Sequence, residues 1–374
     1  MKSKQRAVCA VFLSALLLFS LLLILLPAKS LSAGERRPLA QLVGYEEWLS
    51  GSTGRYSRSL SGYFSWLESV LQDQAPGRDA LRRLRALTKR YLFGERDTDG
   101  YYAFEGSLCK LDSSLSQEAV LRAAERFGQV YERFFAGTGA HLYCSVVPDK
   151  NVFAAPAGGY PHYNFDALRS LLRSALPDAF REVPLSGLTL SDYYRTDPHW
   201  RQEQLLPAAD TLLGAMGADP VSQLDWQPVT AGRFTGTYAG HSALPALPDE
   251  LVYLTNDILA GAAVHDYESG KTSGIYTPEN LANVDPYDVY LGGARALLTI
   301  DNPAQTNGRQ LVVFRDSFGS SLVPLLIPSY SRIVVADLRY VTPESLGRFV
   351  SFQPGCDVLF LVSCSVLNSY GVFG

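Results

Sequence analysis

Two short segments, far apart in the chain, hold the residue types of a nucleophile and of the base that would activate it. The first is Arg315-Asp316-Ser317-Phe318-Gly319, which follows the apolar run Leu311-Val312-Val313-Phe314 and precedes a stretch with helical spacing, 320–326. A serine placed there stands at the carboxyl end of a strand, beside a helix N-terminus whose free backbone N–H groups stabilise an oxyanion. Arg315 occupies the place of the first Gly in GxSxG, so this is not the ordinary elbow of the α/β-hydrolases. An Asp-Ser pair before a helix is also a common capping pattern, and on its own the segment has low specificity.

The second segment is Tyr193-Tyr194-Arg195-Thr196-Asp197-Pro198-His199-Trp200. A serine nucleophile needs a base to take its proton, and the base needs an acid to fix its tautomer. Asp197 and His199 are two positions apart, and in an extended segment they project to the same side. Pro198 favours extended backbone at Asp197 and stiffens the pair. The spacing predicts the Asp197 carboxylate on His199 Nδ1, with Nε2 free to meet the Ser317 hydroxyl. Read alone, the same residues also suit a surface loop in which Asp197 caps the next helix.

Elsewhere the chemistry is sparse. His141 lies in an apolar run, His162 in a Gly/Pro-rich loop, His241 in a turn-like stretch and His265 in a segment without clear pattern, all more often structural or solvated than reactive positions. Cys109, Cys144, Cys356 and Cys364 form no CxxC pair and show no zinc-type spacing with histidine, so no metal is expected. Neither GxGxxG nor GxxxxGK[ST] occurs, which removes the common phosphate cradles.

The elements that must carry these segments are legible in outline. Leu311–Phe314, Ile333–Ala336 and Val358–Val362 are short continuous apolar runs, separated by helical patterns at 320–326 and 343–350. That alternation predicts buried parallel strands of one sheet covered by helices on both faces, with the site at the strands' carboxyl ends. A helical pattern from Tyr56 to about Leu92 is broken at Gln74-Ala75-Pro76-Gly77, and Tyr101–Phe104 reads as one arm of a hairpin. Ser114 followed by Gln117 resembles a capping box opening a helix to about Phe135. An apolar run follows at His141–Val147, then a helix near 164–175 and a short apolar stretch at Val183–Leu190.

The N-terminus decides the compartment. Residues 8–27 run without a charge, preceded by Lys2, Lys4 and Arg6. A run of that length crosses the ~30 Å hydrocarbon core of a bilayer, and the basic flank places the N-terminus in the cytoplasm. The expectation is an uncleaved anchor over 1–27 (a signal peptide being the alternative), a linker over 28–55 rich in Ser, Gly and Arg, and one domain over 56–374. The anchor segment removes basic charge from a chain whose formal net charge is already −4, so the body is acidic and poorly suited to bind nucleic acid. The 21 Tyr, 18 Phe and 4 Trp suit a large core and also surfaces on which sugars stack.

The pieces YYRTDPHW and VVFRDSFGSSLVPLLIPSYSRIVVADLRY, with GERRPLAQL and VVPDKNVF upstream, resemble the DHHW proteins of bacterial cell envelopes. These are related to the AlgX/AlgJ-type alginate O-acetyltransferases within the SGNH-hydrolase-like group. The resemblance implies a three-layer α/β/α sandwich with a mainly parallel sheet behind one N-terminal transmembrane helix. It implies Asp197 as acid, His199 as base and Ser317 as nucleophile, in an order permuted relative to ordinary SGNH esterases. The chain departs from the pattern at Pro198, where a second His is usual, at Arg201, at the FGSS after Ser317, and at Ala294, where Asn is usual. Without that Asn, the backbone N–H groups of Ser317 and Gly293 are the expected oxyanion donors. Trp200, Arg195 and Tyr194 adjoin the triad and are expected to contact substrate. The implied activity is extracytoplasmic O-acetyl transfer to a polysaccharide without metal or organic cofactor, with acetyl supplied by a membrane-bound O-acyltransferase partner. An acetylesterase with the same triad, or a non-catalytic carbohydrate-binding or assembly protein, are the alternatives.

Overall fold

The computed structural model describes residues 2–51 and 56–373. The chain divides into two units, Met1–Asp99 with Ala239–Pro245, and Gly100–Tyr238 with Ala246–Gly374. In the first, α1 (Lys2–Leu25) displays its apolar side chains outward, Leu17 at 72% and Ile24 at 79% exposure. Its apolar stretch Lys4–Leu25 is long enough to cross a membrane. Behind it, β1 (Leu31–Ser32) pairs antiparallel with β2 (Arg37–Pro38), and α2 (Tyr45–Ser50) follows. The stretch 28–51, expected to be linker, is therefore folded, while 52–55 lie outside the described residues. The physical reason is its anchoring groups. Trp48 is buried against Trp66 and Val70, and Arg37 forks onto the Asp73 carboxylate at 2.9 and 2.6 Å. Two helices complete the unit, α3 (Leu60–Asp73) and α4 (Arg78–Leu87), the latter continuing with π geometry through Leu92. They are parted at Gln74–Gly77 as expected, with Gly77 at φ +68°.

The second unit opens with the hairpin β3 (Tyr101–Phe104) and β4 (Ser107–Lys110). Helix α5 (Gln117–Phe134) starts from Ser116, whose hydroxyl accepts from Ala119 N–H at 3.3 Å. Ser114 is not the cap. Its carbonyl is engaged by Asn368, so the chain enters the helix two residues later. Next come β5 (His141–Val147), α6 (Lys150–Gly158), α7 (Phe165–Ala175) and β6 (Phe180–Glu182), the last just ahead of the apolar stretch read at Val183–Leu190. Helix α8 (Leu206–Ala215) leads to an antiparallel pair, β7 (Gln227–Phe234) and β8 (Asp249–Thr255), with α9 (Thr237–Ser242) between them. The remainder runs α10 (Asp257–Gly261), β9 (Ala263–Asp266), β10 (Lys271–Ser273), β11 (Leu297–Asp301), β12 (Gln310–Arg315), α11 (Gly319–Leu326), β13 (Arg332–Ala336), α12 (Pro343–Phe349), β14 (Asp357–Ser363) and α13 (Cys364–Leu367).

One eight-stranded sheet, in the order β10-β9-β11-β13-β12-β14-β5-β6, organises this unit. From β13 to β6 all neighbours are parallel, and β11, β9 and β10 extend the β13 edge antiparallel. Side chains alternate between faces, as strand geometry requires. Val313, Val335 and Leu359 pack with Leu212 and Leu213 of α8 and Leu322 and Leu325 of α11. Phe314, Val334 and Phe360 pack with Val120 and Phe127 of α5 and Leu168 and Leu172 of α7. The result is the expected three-layer α/β/α sandwich, with β12 at its centre. Phe360 is fully buried and stacks on Phe314 with ring centroids 4.6 Å apart. Phe360→Ala is expected to cost about 3–5 kcal/mol of stability, read from denaturant unfolding midpoints; a loss below about 1 kcal/mol would contradict this account of the core.

Candidate active site

Strand β12 ends at Arg315, and the chain turns through Asp316, Ser317 and Phe318 into α11. The turn is tight enough that a Cβ on Gly319 would lie 2.6 Å from the Arg315 Cβ, so glycine is needed there. Asp316 locks the loop to the end of β14. One carboxylate oxygen accepts from Phe318 N–H at 3.0 Å, and the other from the Ser363 N–H and hydroxyl at 2.7 and 2.6 Å. Ser317 is left half-buried at the strand's carboxyl end, as expected. Its N–H has no acceptor among the described residues, leaving that donor available for an oxyanion.

The structure brings Asp197 and His199 to this serine. Asp197 Oδ1 lies 2.6 Å from His199 Nδ1, and His199 Nε2 lies 2.8 Å from Ser317 Oγ. Both links fall within hydrogen-bond reach for proton transfer. The 193–200 segment is not extended as read from Pro198. It folds back on itself, with Tyr193 bridging Trp200 and Tyr194 N–H donating to the His199 carbonyl at 3.0 Å. Asp197 Oδ1 also accepts from His199 N–H at 3.2 Å, so the pair meets through a local turn. The other carboxylate oxygen accepts from Thr237 N–H at 2.9 Å and the Thr237 hydroxyl at 3.2 Å. Gly236 passes so close that a Cβ there would stand 2.4 Å from the Asp197 Cβ. The Tyr287 ring lies flat on the imidazole, centroids 3.9 Å apart, and its hydroxyl donates to Ser321 Oγ at 2.7 Å.

The backbone beneath Asp197 is gripped by two buried charges. Lys150, the first residue of α6, donates to the carbonyls of Tyr194, Arg195 and Asp197 at 2.7, 3.0 and 3.3 Å. Asp249 of β8 accepts from the N–H groups of Arg195 and Thr196, both at 2.8 Å, and from the Thr196 hydroxyl. Burial pushes the Lys150 ammonium down from 10.5 to about 8.

Three expectations for the site change. Trp200 and Tyr194 are fully buried and cannot touch substrate. The Trp200 indole donates to the Phe318 carbonyl at 3.0 Å and Ser321 Oγ at 2.9 Å, bracing the serine loop from within. Tyr194 hydrogen-bonds the Tyr290 hydroxyl at 3.2 Å. The fold-back turns both rings inward, and of the three only Arg195 is exposed. Arg195 lines a cleft of about 730 Å³ with Arg201, Arg233, Glu203 and Glu250, of which neither Ser317 nor His199 is a wall. Gly293 is not an oxyanion donor, because its N–H donates to the Tyr290 carbonyl at 3.0 Å. Its φ of +90° and the Asp288 carboxylate, 2.0 Å from where a Cβ would sit, explain the glycine instead. Thr237, Gly236, Tyr287, Asp249 and Ser363 were invisible to pattern reading, since each acts across a long stretch of chain. Lys150 stood in the VVPDKNVF piece without a role.

The depressed Lys150 ammonium carries a signed consequence. Between about pH 8 and 10.5 the unfolded chain holds a proton that the native chain has released, so stability from this group rises across that window. Below it that increment is absent, and above it fully present. The stability difference between wild type and Lys150→Met is therefore expected to move in favour of wild type from pH 8 to 10.5, measured by chemical denaturation. A difference independent of pH would contradict the burial of a titrating ammonium.

Solved structures share the fold. A DHHW family protein from Eubacterium siraeum shares 20% identity, covers 74% of this chain and 94% of its own, and superposes with a TM-score of 0.57. Bacillus cereus PatB1 shares 17% identity over 73% of this chain and 98% of its own, with a TM-score of 0.58. It has also been solved with a sulfonyl adduct, at a TM-score of 0.57. At these identities the likeness is one of fold. No curated protein matches the chain. Residues 186–336 match the family model described as DHHW protein, a span that holds Asp197, His199 and Ser317, and the resemblance to the DHHW proteins read from the sequence is thereby shown.

Proposed function

We propose that this chain is a membrane-anchored, extracytoplasmic O-acetyltransferase acting on a polysaccharide, with Ser317 as nucleophile, His199 as base and Asp197 as its orienting acid. The observation that carries the reading is the unbroken hydrogen-bonded chain from the Asp197 carboxylate through His199 to the Ser317 hydroxyl, at 2.6 and 2.8 Å. Acyl transfer needs this arrangement of nucleophile, base and acid. The resemblance to DHHW proteins favours acetyl as the acyl group and a sugar hydroxyl as the acceptor.

In this mechanism His199 Nε2 takes the Ser317 hydroxyl proton as Oγ adds to the acetyl carbonyl. The developing oxyanion faces the Ser317 N–H. As the tetrahedral adduct collapses, the protonated His199 gives its proton to the leaving group, and acetyl stays on Oγ. The sugar hydroxyl then loses its proton to His199 and attacks the acyl carbon. Collapse releases the acetylated sugar, and Ser317 Oγ recovers the proton from His199. Asp197, held by Thr237, keeps Nδ1 protonated and stabilises the imidazolium. The acetyl donor on the outer side of the membrane would come through a membrane-bound O-acyltransferase.

A sulfonyl fluoride tests the nucleophile, since a sulfonyl adduct is known for the structural neighbour PatB1. The reagent is expected to add its sulfonyl mass to Ser317 of the wild type and not to Ser317→Ala or His199→Ala. Ser317→Ala is expected to lower turnover of an aryl acetate by on the order of 10⁴–10⁶-fold, because triad members act as a unit. Labelling of Ser317→Ala at the wild-type rate would refute the proposal.

Asp197→Asn is expected to reduce kcat by up to about 10⁴-fold with little change in KM, because it misorients the base while leaving the binding surface intact. Thr237→Val removes the hydroxyl that accompanies the Thr237 N–H on the same carboxylate, and a loss of about tenfold in kcat is expected. A change confined to KM in either variant would contradict the assigned roles.

A further inference from the structure

Helices α3 and α4 each carry large apolar side chains that no described residue of their own unit covers. Leu60, Phe64 and Leu71 fall at helical spacing on α3 and are 59%, 59% and 49% exposed. On α4 and its π continuation, Leu81 and Leu84 are 49% and 60% exposed, and Tyr91, Leu92 and Phe93 are 73%, 74% and 70% exposed. Large apolar side chains exposed in this number mark an interaction site.

Charge distinguishes its partner. From Arg78 to Phe93 the chain holds Arg78, Arg82, Arg83, Arg85, Lys89 and Arg90 against the single acid Asp79. Arg78 and Arg82 are turned onto Glu35, Arg85 onto Asp99, and Lys89 onto Glu95. Arg83 and Arg90 have no carboxylate partner among the described residues. An amphipathic helix with large apolar groups on one face and Arg at its flanks is the pattern of an element lying in a lipid interface.

The route of the chain points the same way. Lys29 follows the end of α1 by only four residues, and its N–H donates to Gln74 Oε1 at 2.9 Å while Gln74 Nε2 returns a bond to the Lys29 carbonyl at 3.0 Å. Gln74 also donates to the Ala40 carbonyl at 2.9 Å. Four residues span at most about 14 Å. The turn between α3 and α4 is therefore tied within that distance of the point where the apolar helix ends.

We propose that α4 and its π continuation dock on the surface of the membrane that α1 enters, with Leu81, Leu84, Tyr91, Leu92 and Phe93 among the acyl chains and Arg83 and Arg90 at anionic headgroups. Each basic group at such a surface strengthens attraction by roughly fivefold. The anchor is thus a two-part device, a spanning helix and an amphipathic foot that fixes the first unit against the bilayer.

The test uses the full chain carrying Cys9→Ser and Leu92→Cys, since the other four thiols are buried and resist labelling. A fluorophore on position 92 is followed in vesicles of phosphatidylcholine with equal phosphatidylglycerol, with and without lipid bearing a doxyl quencher in the upper acyl chain. At least about twofold quenching by the doxyl lipid is expected, and it should be lost in pure phosphatidylcholine or when Arg83→Glu and Arg90→Glu are added. Absence of doxyl quenching in the anionic vesicles would overturn the proposal. So would a label shielded from aqueous iodide yet untouched by doxyl lipid, which would mean that a protein or a second copy covers the face.

Discussion

The site depends on two buried charges that meet through a peptide segment rather than through each other. Lys150 is solvated by three carbonyls of the Tyr194–Asp197 segment, and Asp249 by two N–H groups and a hydroxyl of the same segment. A buried ion is tolerable only when its desolvation is offset by hydrogen bonds and an opposite charge. Here the polar partners are the backbone that carries Asp197 and His199, so the requirement to satisfy the ions is also what holds the segment in its fold-back. An irregular loop, which has no ladder of its own, thereby acquires the rigidity that the proposed role of His199 needs.

The serine loop is held by the same logic in a second place. Asp316 is buried, and its carboxylate spends both oxygens on backbone and hydroxyl donors from Phe318 and Ser363. Trp200, one residue after His199, reaches into that loop and donates to the Phe318 carbonyl and Ser321 Oγ. The histidine segment and the serine loop are therefore cross-braced by buried side chains. The 2.8 Å approach of His199 to Ser317 follows from these supports as much as from the two residues themselves.

Much of this was legible in the sequence because it obeys local rules. The runs at Leu311, Ile333 and Val358 became parallel neighbours, since uninterrupted apolar strands demand cover on both faces. Asp197 and His199 were readable from spacing, and Ser317 from its place between a strand and a helix. The failures were of direction and of distance. Spacing placed Trp200 and Tyr194 beside the base, but a fold-back between Tyr193 and Trp200 sends both side chains into the core. Gly293 looked like a donor because of its company, whereas its N–H closes a turn on Tyr290. Thr237 and Asp249 act on the 194–199 segment from some forty or more positions away, and no period in the chain announces such a pairing.

The proposed mechanism requires an acetyl group to reside on Ser317 between donor and acceptor. Rapid quenching of the enzyme with an aryl acetate, followed by peptide mapping by mass spectrometry, tests it directly. The account predicts one acetyl on the peptide containing Ser317, discharged when an oligosaccharide acceptor is added, with the same acetyl recovered on the sugar. Acetyl found on another residue, or acetylated sugar formed at the wild-type rate by Ser317→Ala, would contradict it.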